Sequence, residues 1–302
     1  MKPIALATRA DLPSWEIDDR FLHAALEQLD VAFERPIWSD PGVDWSRYAA
    51  VVIRTTWDYQ DRIDEFLAWA ARVAACTQLL NPLPVIRWNT HKSYLRELER
   101  EGVPLAPSLW LLRDEPVELA PLLRERGWTR GFIKPLLGAT ARETLRFRVD
   151  APDELAQAQR HVDRLVLDGH EDLVVQPYLD AVEREGELSG LFFDGRLSHG
   201  VRKVPLAGDY RVQDDFGAHD EPWTFDAGAH ALAEQTFAAL ARVLERLGVA
   251  SPLLYARLDM LRLADGQLVL NELELVEPSL FLRHHHAGGE LLARALLDRV
   301  GL

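Results

Sequence analysis

One segment, LLYARLDMLRLADGQLVLNELELV (253–276), constrains the fold more than any other. Two runs of alternating apolar and polar residues flank Asp265-Gly266, a pair that tolerates the positive φ of a type I′ hairpin turn. A two-residue turn there pairs Ala264 with Gln267; carried inward, that register sets Asp259 opposite Glu272 and Arg257 opposite Glu274. Side chains alternate faces along a strand, so these four share one face, and Leu258, Met260, Leu273 and Leu275 take the other as core. Like charges directly opposed destabilise a sheet by about 0.2–1 kcal/mol per pair. A bound cation removes the conflict, and hard carboxylate oxygens suit Mg²⁺ that also takes phosphate oxygens. The plainer reading is an exposed face whose charges water screens. A three-residue turn would slip the register by one and break the argument.

Composition narrows the partners. The chain has 302 residues, enough for two or three domains, and 48% are hydrophobic, enough for a sizeable core. With 34 Lys and Arg against 48 Asp and Glu, the net charge is −14, which argues against nucleic acid or an anionic membrane as the main partner. The single cysteine, Cys76, excludes an internal disulfide and fits a reducing compartment. It lies in an alanine-rich helix pattern and reads as core. MKPIALATRADLP reads as a first strand rather than a signal peptide, and no apolar run is long enough to span a membrane. The expectation is a soluble, cytoplasmic protein.

Residues 1–88 alternate strands (4–8, 31–37, 49–54) with helices (18–29, 64–75), the signature of a parallel sheet with covered faces. Pro82 and Pro84 punctuate the exit. A helix over 91–102, stopped by Gly102 and Pro104, forms a linker through residue 107. Residues 108–178 hold strands at 131–134, 145–149 and 173–176 and a helix at 153–167, a small α+β unit. Residues 179–302 hold strands at 187–193 and 197–203, a long amphipathic helix at 229–247, the hairpin, and a last helix at 289–300.

No GxxxxGK[ST], GxGxxG or GxSxG motif occurs. Lysines are rare: Lys2, Lys92, Lys134 and Lys203. Lys134 ends the apolar strand GFIKP and Lys203 ends HGVRKVP, where a compact charge can meet phosphate or simply snorkel to water. Gln176-Pro177-Tyr178-Leu179 leaves a strand with free backbone groups suited to a purine edge. Arg54-Thr55-Thr56-Trp57-Asp58-Tyr59 follows the strand AAVVI, where open α/β sheets place ligands, or else is a loop with a buried tryptophan. Residues 208–217 form a glycine-bounded polar loop. His284, His285 and His286 cannot all point at one metal from a regular element and read as loop residues near a site.

Together RTTWDY, FIKP, QPYL, GELSGLFFDG, KVPLAGDYRVQ, ARLDML and NELELVEPSLFL resemble the ATP-grasp superfamily over nearly the whole chain. The likeness is nearest to its glutathione synthetase and ribosomal-protein glutamate ligase branch, and more narrowly to the O-ureido-serine cyclo-ligases of cycloserine biosynthesis. The resemblance implies an N-terminal parallel-sheet α/β domain, a small lid and an antiparallel C-terminal domain that clamp ATP. Lys92 and Lys134 would then hold phosphates, Gln176 and Leu179 the adenine, and Glu187 the ribose. Lys203 and Arg211 would face the γ-phosphate or the substrate carboxylate. Asp259, Glu272 and Glu274 would bind Mg²⁺, and Arg257 would stabilise the acyl-phosphate and the oxyanion that follows. Arg54, Thr55, Trp57, Asp58, Ser279 and Arg283 are the expected substrate contacts. The chain departs from the family in having only Gly138 after the strand lysine, so Ala139 and Thr140 would cap phosphate. It also has Glu274 where many relatives have Asn, which raises the demand for a second Mg²⁺.

The implied activity is ATP-dependent C–N ligation of a small amino-acid-like carboxylate through an acyl-phosphate, by a second molecule or by ring closure. A homodimer is the arrangement the branch suggests. A small-molecule kinase uses the same clamp, because a fold does not fix an acceptor. A non-catalytic nucleotide-binding regulator and a metal-dependent hydrolase are the remaining competitors; the retained carboxylate set argues against the former.

Overall fold

The computed structural model describes residues 2–12, 18–138, 142–206 and 219–301. Three sheets carry the architecture. The first is parallel, in the order β2-β1-β3-β4, from β1 (Ile4–Thr8), β2 (Phe33–Glu34), β3 (Ala50–Thr55) and β4 (Gln78–Leu80). The near-continuous apolar runs of β1 and β3 suit strands buried on both faces. One face packs α2 (Ile63–Cys76) through Phe66, Trp69, Ala70 and Val73; the other packs α1 (Asp19–Gln28) through Leu22, Ala25 and Leu26. The strand expected over 31–37 pairs continuously only at Phe33–Glu34; Pro36 cannot donate to the ladder, and contact with β1 resumes as a single bridge between Ile37 and Thr8. Pro82 and Pro84 do not merely end the region: Pro84 stands in the first turn of α3 (Leu83–Asn89), where its missing N–H costs nothing. Cys76, expected in the core, is exposed at the end of α2.

Lys92 lies in the turn before α4 (Tyr94–Arg100) rather than on a helix beginning at 91. Gly102, at φ +95°, stops α4. The second sheet is antiparallel, order β5-β8-β6-β7, from β5 (Leu109–Leu111), β6 (Arg130–Pro135), β7 (Leu145–Arg148) and β8 (Leu173–Pro177), and is covered by α5 (Leu119–Glu125) and α6 (Pro152–Asp163). After the short α7 (Ala181–Glu185), the third sheet runs β11-β10-β9-β12-β13: β9 (Glu187–Phe193), β10 (Arg196–Val204), β11 (His219–Trp223), β12 (Tyr255–Arg262) and β13 (Leu268–Glu274), all antiparallel. One face of this sheet meets α8 (Ala227–Arg246), capped by Asp226, whose carboxylate accepts from the Ala229 amide at 2.8 Å. Buried Leu232, Leu240, Val243 and Leu244 of α8 pack on Leu258, Met260, Leu273 and Leu275, each worth about 1.5–3 kcal/mol of burial. The C-terminal α9 (Ala287–Val300) returns to α1: Leu292 and Leu296 share one cluster with Leu22, Leu26, Ile4 and Phe193, so the first and third sheets share a core.

The hairpin differs from the expectation at two places that cancel. The Leu263 amide bonds the Gln267 carbonyl at 2.8 Å, leaving Ala264, Asp265 and Gly266 as a three-residue loop with Gly266 at φ +89°. That loop slips the register by one, pairing Leu261 with Val269 and Met260 with Leu270. A bulge at Asn271 then absorbs one residue, so Asp259 still opposes Glu272 and Arg257 still opposes Glu274.

Candidate active site

The exposed-facing side of β12–β13 changes character along its length. Near the loop, Leu261 and Val269 join Ala106, Leu179 and Val182 in a small apolar cluster. Gln176 is buried beside it on β8, and its amide donates to the Ser108 hydroxyl at 3.0 Å. Further along, the bulge puts Asn271 on the same face as Glu272. The Asn271 carbonyl oxygen accepts from Lys134 Nζ at 3.0 Å, and its amide donates to Glu187. Lys92 Nζ donates to the Gly138 carbonyl at 2.8 Å and stands 3.5 Å from Glu272 Oε2. Two lysines from separate elements thus converge on consecutive residues of one strand.

Asp259 is 2% exposed and fully engaged. Arg257 grips it through Nε at 3.0 Å and Nη2 at 2.9 Å, the Ser189 hydroxyl donates at 2.5 Å, and Lys203 Nζ lies 3.3 Å away. Arg257 also pairs with Glu274 and donates through Nη1 to the Ser279 carbonyl at 3.2 Å. Lys203 and Glu187, opposed across β9–β10, form a buried ion pair. Gly186 makes that pairing possible: at φ +73°, a Cβ there would meet the Lys203 carbonyl at 2.2 Å.

Burial alone would raise Asp259's carboxyl, but Arg257 and Lys203 outweigh it and hold it well below the usual range. Burial would likewise lower Lys203, yet Asp259 and Glu187 lift it above an ordinary lysine. Lys134 is held down by burial, against the pull of Glu272 and Glu187. Burial pushes Glu274 up to about 7, with Asp259 and Glu272 adding and Arg257 opposing. Among the described residues, no three carboxylate, imidazole or thiol groups stand gathered as a metal cage. The donor chemistry nonetheless suits a hard cation: Asp259, Glu272 and Glu274 offer oxygens on one face, and Glu272 and Glu274 keep side chains 22% and 28% exposed. Their present partners, Lys92 and Arg257, are the groups a cation would displace.

The expected substrate residues divide. Trp57 Nε1 donates to the Glu277 carbonyl at 3.1 Å, and Ser279 lends its carbonyl to Arg257, so both adjoin the carboxylate row. Asp58 accepts from Trp38 Nε1 at 2.9 Å. Thr55 is buried, its hydroxyl 2.7 Å from that of Thr8. Arg54 is 1% exposed; Nη2 reaches Asp19 at 2.8 Å and Nη1 reaches the Pro278 carbonyl at 3.4 Å, so it braces the 277–279 turn from within. Arg283 bridges Asp18, at 2.7 Å, and Asp220, which His284 also contacts. The other histidines are packed: His286 stacks on Phe21 at 4.1 Å and His285 lies 5.2 Å from His199. Arg211, Ala139, Thr140 and the whole 208–217 loop fall outside the described residues.

Sequence reasoning gave no role to Asn271 or Ser189, and took in Tyr59 and Glu277 only as members of the two segments, 54–59 and 277–286, expected to line the substrate pocket. Asn271 directly precedes the Glu-x-Glu pair, but only the bulge brings it to that face. Ser189 sits where β9 crosses Asp259, a pairing no local pattern announces.

Comparison with known proteins is consistent with this geometry. Residues 4–81 match the family model described as the N-terminal domain of D-cycloserine synthetase DcsG. The chain is 34% identical over 303 residues to the cycloserine biosynthesis protein DcsG of Streptomyces lavendulae, covering 98% of each. It resembles the crystal structure of D-cycloserine synthetase DcsG with a TM-score of 0.87 at 32% identity, over 98% of this chain and 99% of that one. The ATP-grasp ligase PsnB, in complex with a minimal precursor, Mg and ADP, shares the fold at a TM-score of 0.63 and 16% identity, over 99% and 98%.

Proposed function

Because the chain belongs to the DcsG family of ATP-grasp ligases, enzymes that form C–N bonds by way of an acyl-phosphate, we propose that it closes a ring within one amino-acid-like substrate of the O-ureido-serine type. ATP and magnesium are the cofactors of such ligases; two Mg²⁺ ions on Asp259, Glu272 and Glu274 are our assignment, and the doubled carboxylate at Glu272 and Glu274 favours it. The observation that carries the reading is the convergence of Lys134 on Asn271 and Lys92 on Glu272, beside an apolar shelf at one end and Arg257 at the other.

In this reading Leu179 and Gln176 receive the adenine, and Glu187 the ribose once Asn271 and Lys203 release it. Lys92 and Lys134 hold the phosphates. Mg²⁺, when bound, supplies neutralisation of phosphate charge. The substrate carboxylate takes the γ-phosphoryl group, releasing ADP. A nitrogen of the same molecule then attacks the acyl carbon, the C–O bond to phosphate breaks, and phosphate leaves. Arg257, rigid between Asp259 and the Ser279 carbonyl, faces the developing oxyanion, and a preorganised charge of that kind is worth about 3–4 kcal/mol. Lys203 and Arg211 steady the transferred group. Trp57, Asp58, Ser279 and Arg283 border the acyl pocket, while Arg54 and Thr55 hold its wall. The chain divides in this proposal into residues 1–88, a linker at 89–107, a lid at 108–178 and a catalytic unit at 179–302.

Mass spectrometry of a reaction with O-ureido-serine, alone and with added amines, tests the ring closure. A cyclic product whose yield ignores added amine supports it. An open-chain amide carrying the added amine would make the enzyme an intermolecular ligase instead.

A further inference from the structure

Glu277 has no place in the phosphate or metal chemistry above, yet it is built into the same site. It is 9% exposed, and among the described residues no lysine, arginine or histidine pairs with its carboxylate. Among the described residues the side-chain hydroxyl that acts on it is that of Tyr59, itself 8% exposed. Burial, with Glu274 adding, pushes its carboxyl up to about 8, so the free protein holds it as the neutral acid at neutral pH, and a cation placed beside it would draw that proton off.

Its position is fixed from three sides. Trp57 holds the Glu277 carbonyl, Arg54 the Pro278 carbonyl and Arg257 the Ser279 carbonyl. Three consecutive carbonyls strapped this way leave the turn little freedom, so the Glu277 side chain is held at the end of β13 nearest the first sheet. The order along the strand then matters. Asn271 meets the lid lysine, Glu272 meets Lys92, Glu274 meets Arg257, and Glu277 meets Tyr59 and Trp57. Phosphate-binding groups occupy one end and Glu277 the other, beyond the reacting carboxylate. In the same segment, just past β3, the Thr56 hydroxyl is fully buried without a hydrogen-bond partner among the described residues, a polar atom left for a bound ligand or water to satisfy.

Resting on the ligase reading, we propose that Glu277, positioned by Tyr59, binds the α-ammonium group of the substrate and so selects amino acids with a free amine. An ammonium suits the site better than a third metal ion. It needs one carboxylate, an acceptor oxygen such as the Tyr59 hydroxyl, and aromatic surface, which Tyr59 and Trp57 provide. A divalent ion would need a shell of several oxygens, and the neighbouring carbonyls are already taken by Trp57, Arg54 and Arg257.

The test is ADP release by the full-length protein with O-ureido-serine and with its N-acetyl derivative, for wild type, Glu277→Gln and Tyr59→Phe. The inference predicts that Glu277→Gln raises the KM for O-ureido-serine about ten- to hundredfold, a charge-assisted hydrogen bond lost. The KM for ATP should stay within about twofold, and the preference for the free amine should collapse. Tyr59→Phe should give a smaller rise in KM with kcat kept, the mark of a positioning residue. Thermal unfolding of each variant separates these effects from misfolding. A Glu277→Gln enzyme that keeps both the wild-type KM and the preference overturns the inference and leaves the ligase reading standing. An equal rise in the KM for ATP would move Glu277 to the nucleotide site and overturn it too. Wild-type protein that releases no ADP with any amino acid would remove the ligase reading, and this inference with it.

Discussion

Glu272 opposes Asp259 only because Asn271 is bulged out of the ladder between them and the loop. The bulge therefore does two things: it restores the carboxylate register that the three-residue loop had shifted, and it delivers an amide to Lys134 and Glu187 at the same face. Asn271→Ala removes that amide and leaves the half-buried Lys134 and the buried Glu187 each one hydrogen bond short. We expect a loss of about 1–3 kcal/mol in urea unfolding and a clear rise in the KM for ATP. Wild-type stability together with a wild-type KM would show that the bulge is incidental.

The Lys203–Glu187 pair is buried on both sides, so breaking it strands a charge. Lys203→Met alone should destabilise by about 3–5 kcal/mol, and Lys203→Met with Glu187→Gln by distinctly less. A double-mutant cycle in urea measures the coupling, and additive effects would mean the two groups act independently.

Arg257 acts through geometry as much as through charge. Its Nε and Nη2 atoms chelate Asp259 while Nη1 holds Ser279, an arrangement a lysine cannot copy. Arg257→Lys should lower kcat for ADP release about 100- to 1000-fold with little change in the KM for ATP. A change in KM alone would assign Arg257 to binding rather than to the transition state.

Two groups give stability opposite dependences on pH. Burial, with His285 adding, depresses His199 to about 4. The unfolded chain takes up that proton near pH 6.5 and the native state does not, so stability is present above pH 6.5 and falls as pH drops toward 4. Glu277, raised to about 8, works the other way: the unfolded chain ionises near pH 4.5, so stability falls as pH rises from there toward 8. Relative to wild type, His199→Gln should gain on the order of 2 kcal/mol between pH 7 and pH 4.5. Glu277→Gln should gain a similar amount between pH 5 and pH 8. Urea unfolding across that range reads both, and parallel profiles would contradict the assignments.

The sheets and the long helices were legible because their patterns are strong: the buried runs of β1 and β3, the alternation of β12 and the apolar stripe of α8 all announce themselves. Short elements such as β4, β5 and β11 were not, since three to five residues carry too little periodicity. The carboxylate face was read correctly through two departures that offset each other, a longer loop and a bulge, neither visible in the local pattern. Arg54 looked like a ligand contact because it follows a parallel strand; its burial against Asp19 arises from α1, far away in sequence. Glu277 drew no notice as an individual residue because its partner Tyr59 lies in the first sheet's loop, and only the tertiary fold joins them.

The central claim is that the β12–β13 face binds magnesium and ATP for ligation. It is tested most directly by Mg²⁺-dependent ADP formation with O-ureido-serine, comparing wild type with Glu272→Ala. The account predicts substrate-stimulated ADP release that saturates with Mg²⁺ in the wild type. In the variant it should fall about 100-fold and shift to higher Mg²⁺. A Glu272→Ala enzyme with wild-type rate and Mg²⁺ dependence would contradict it.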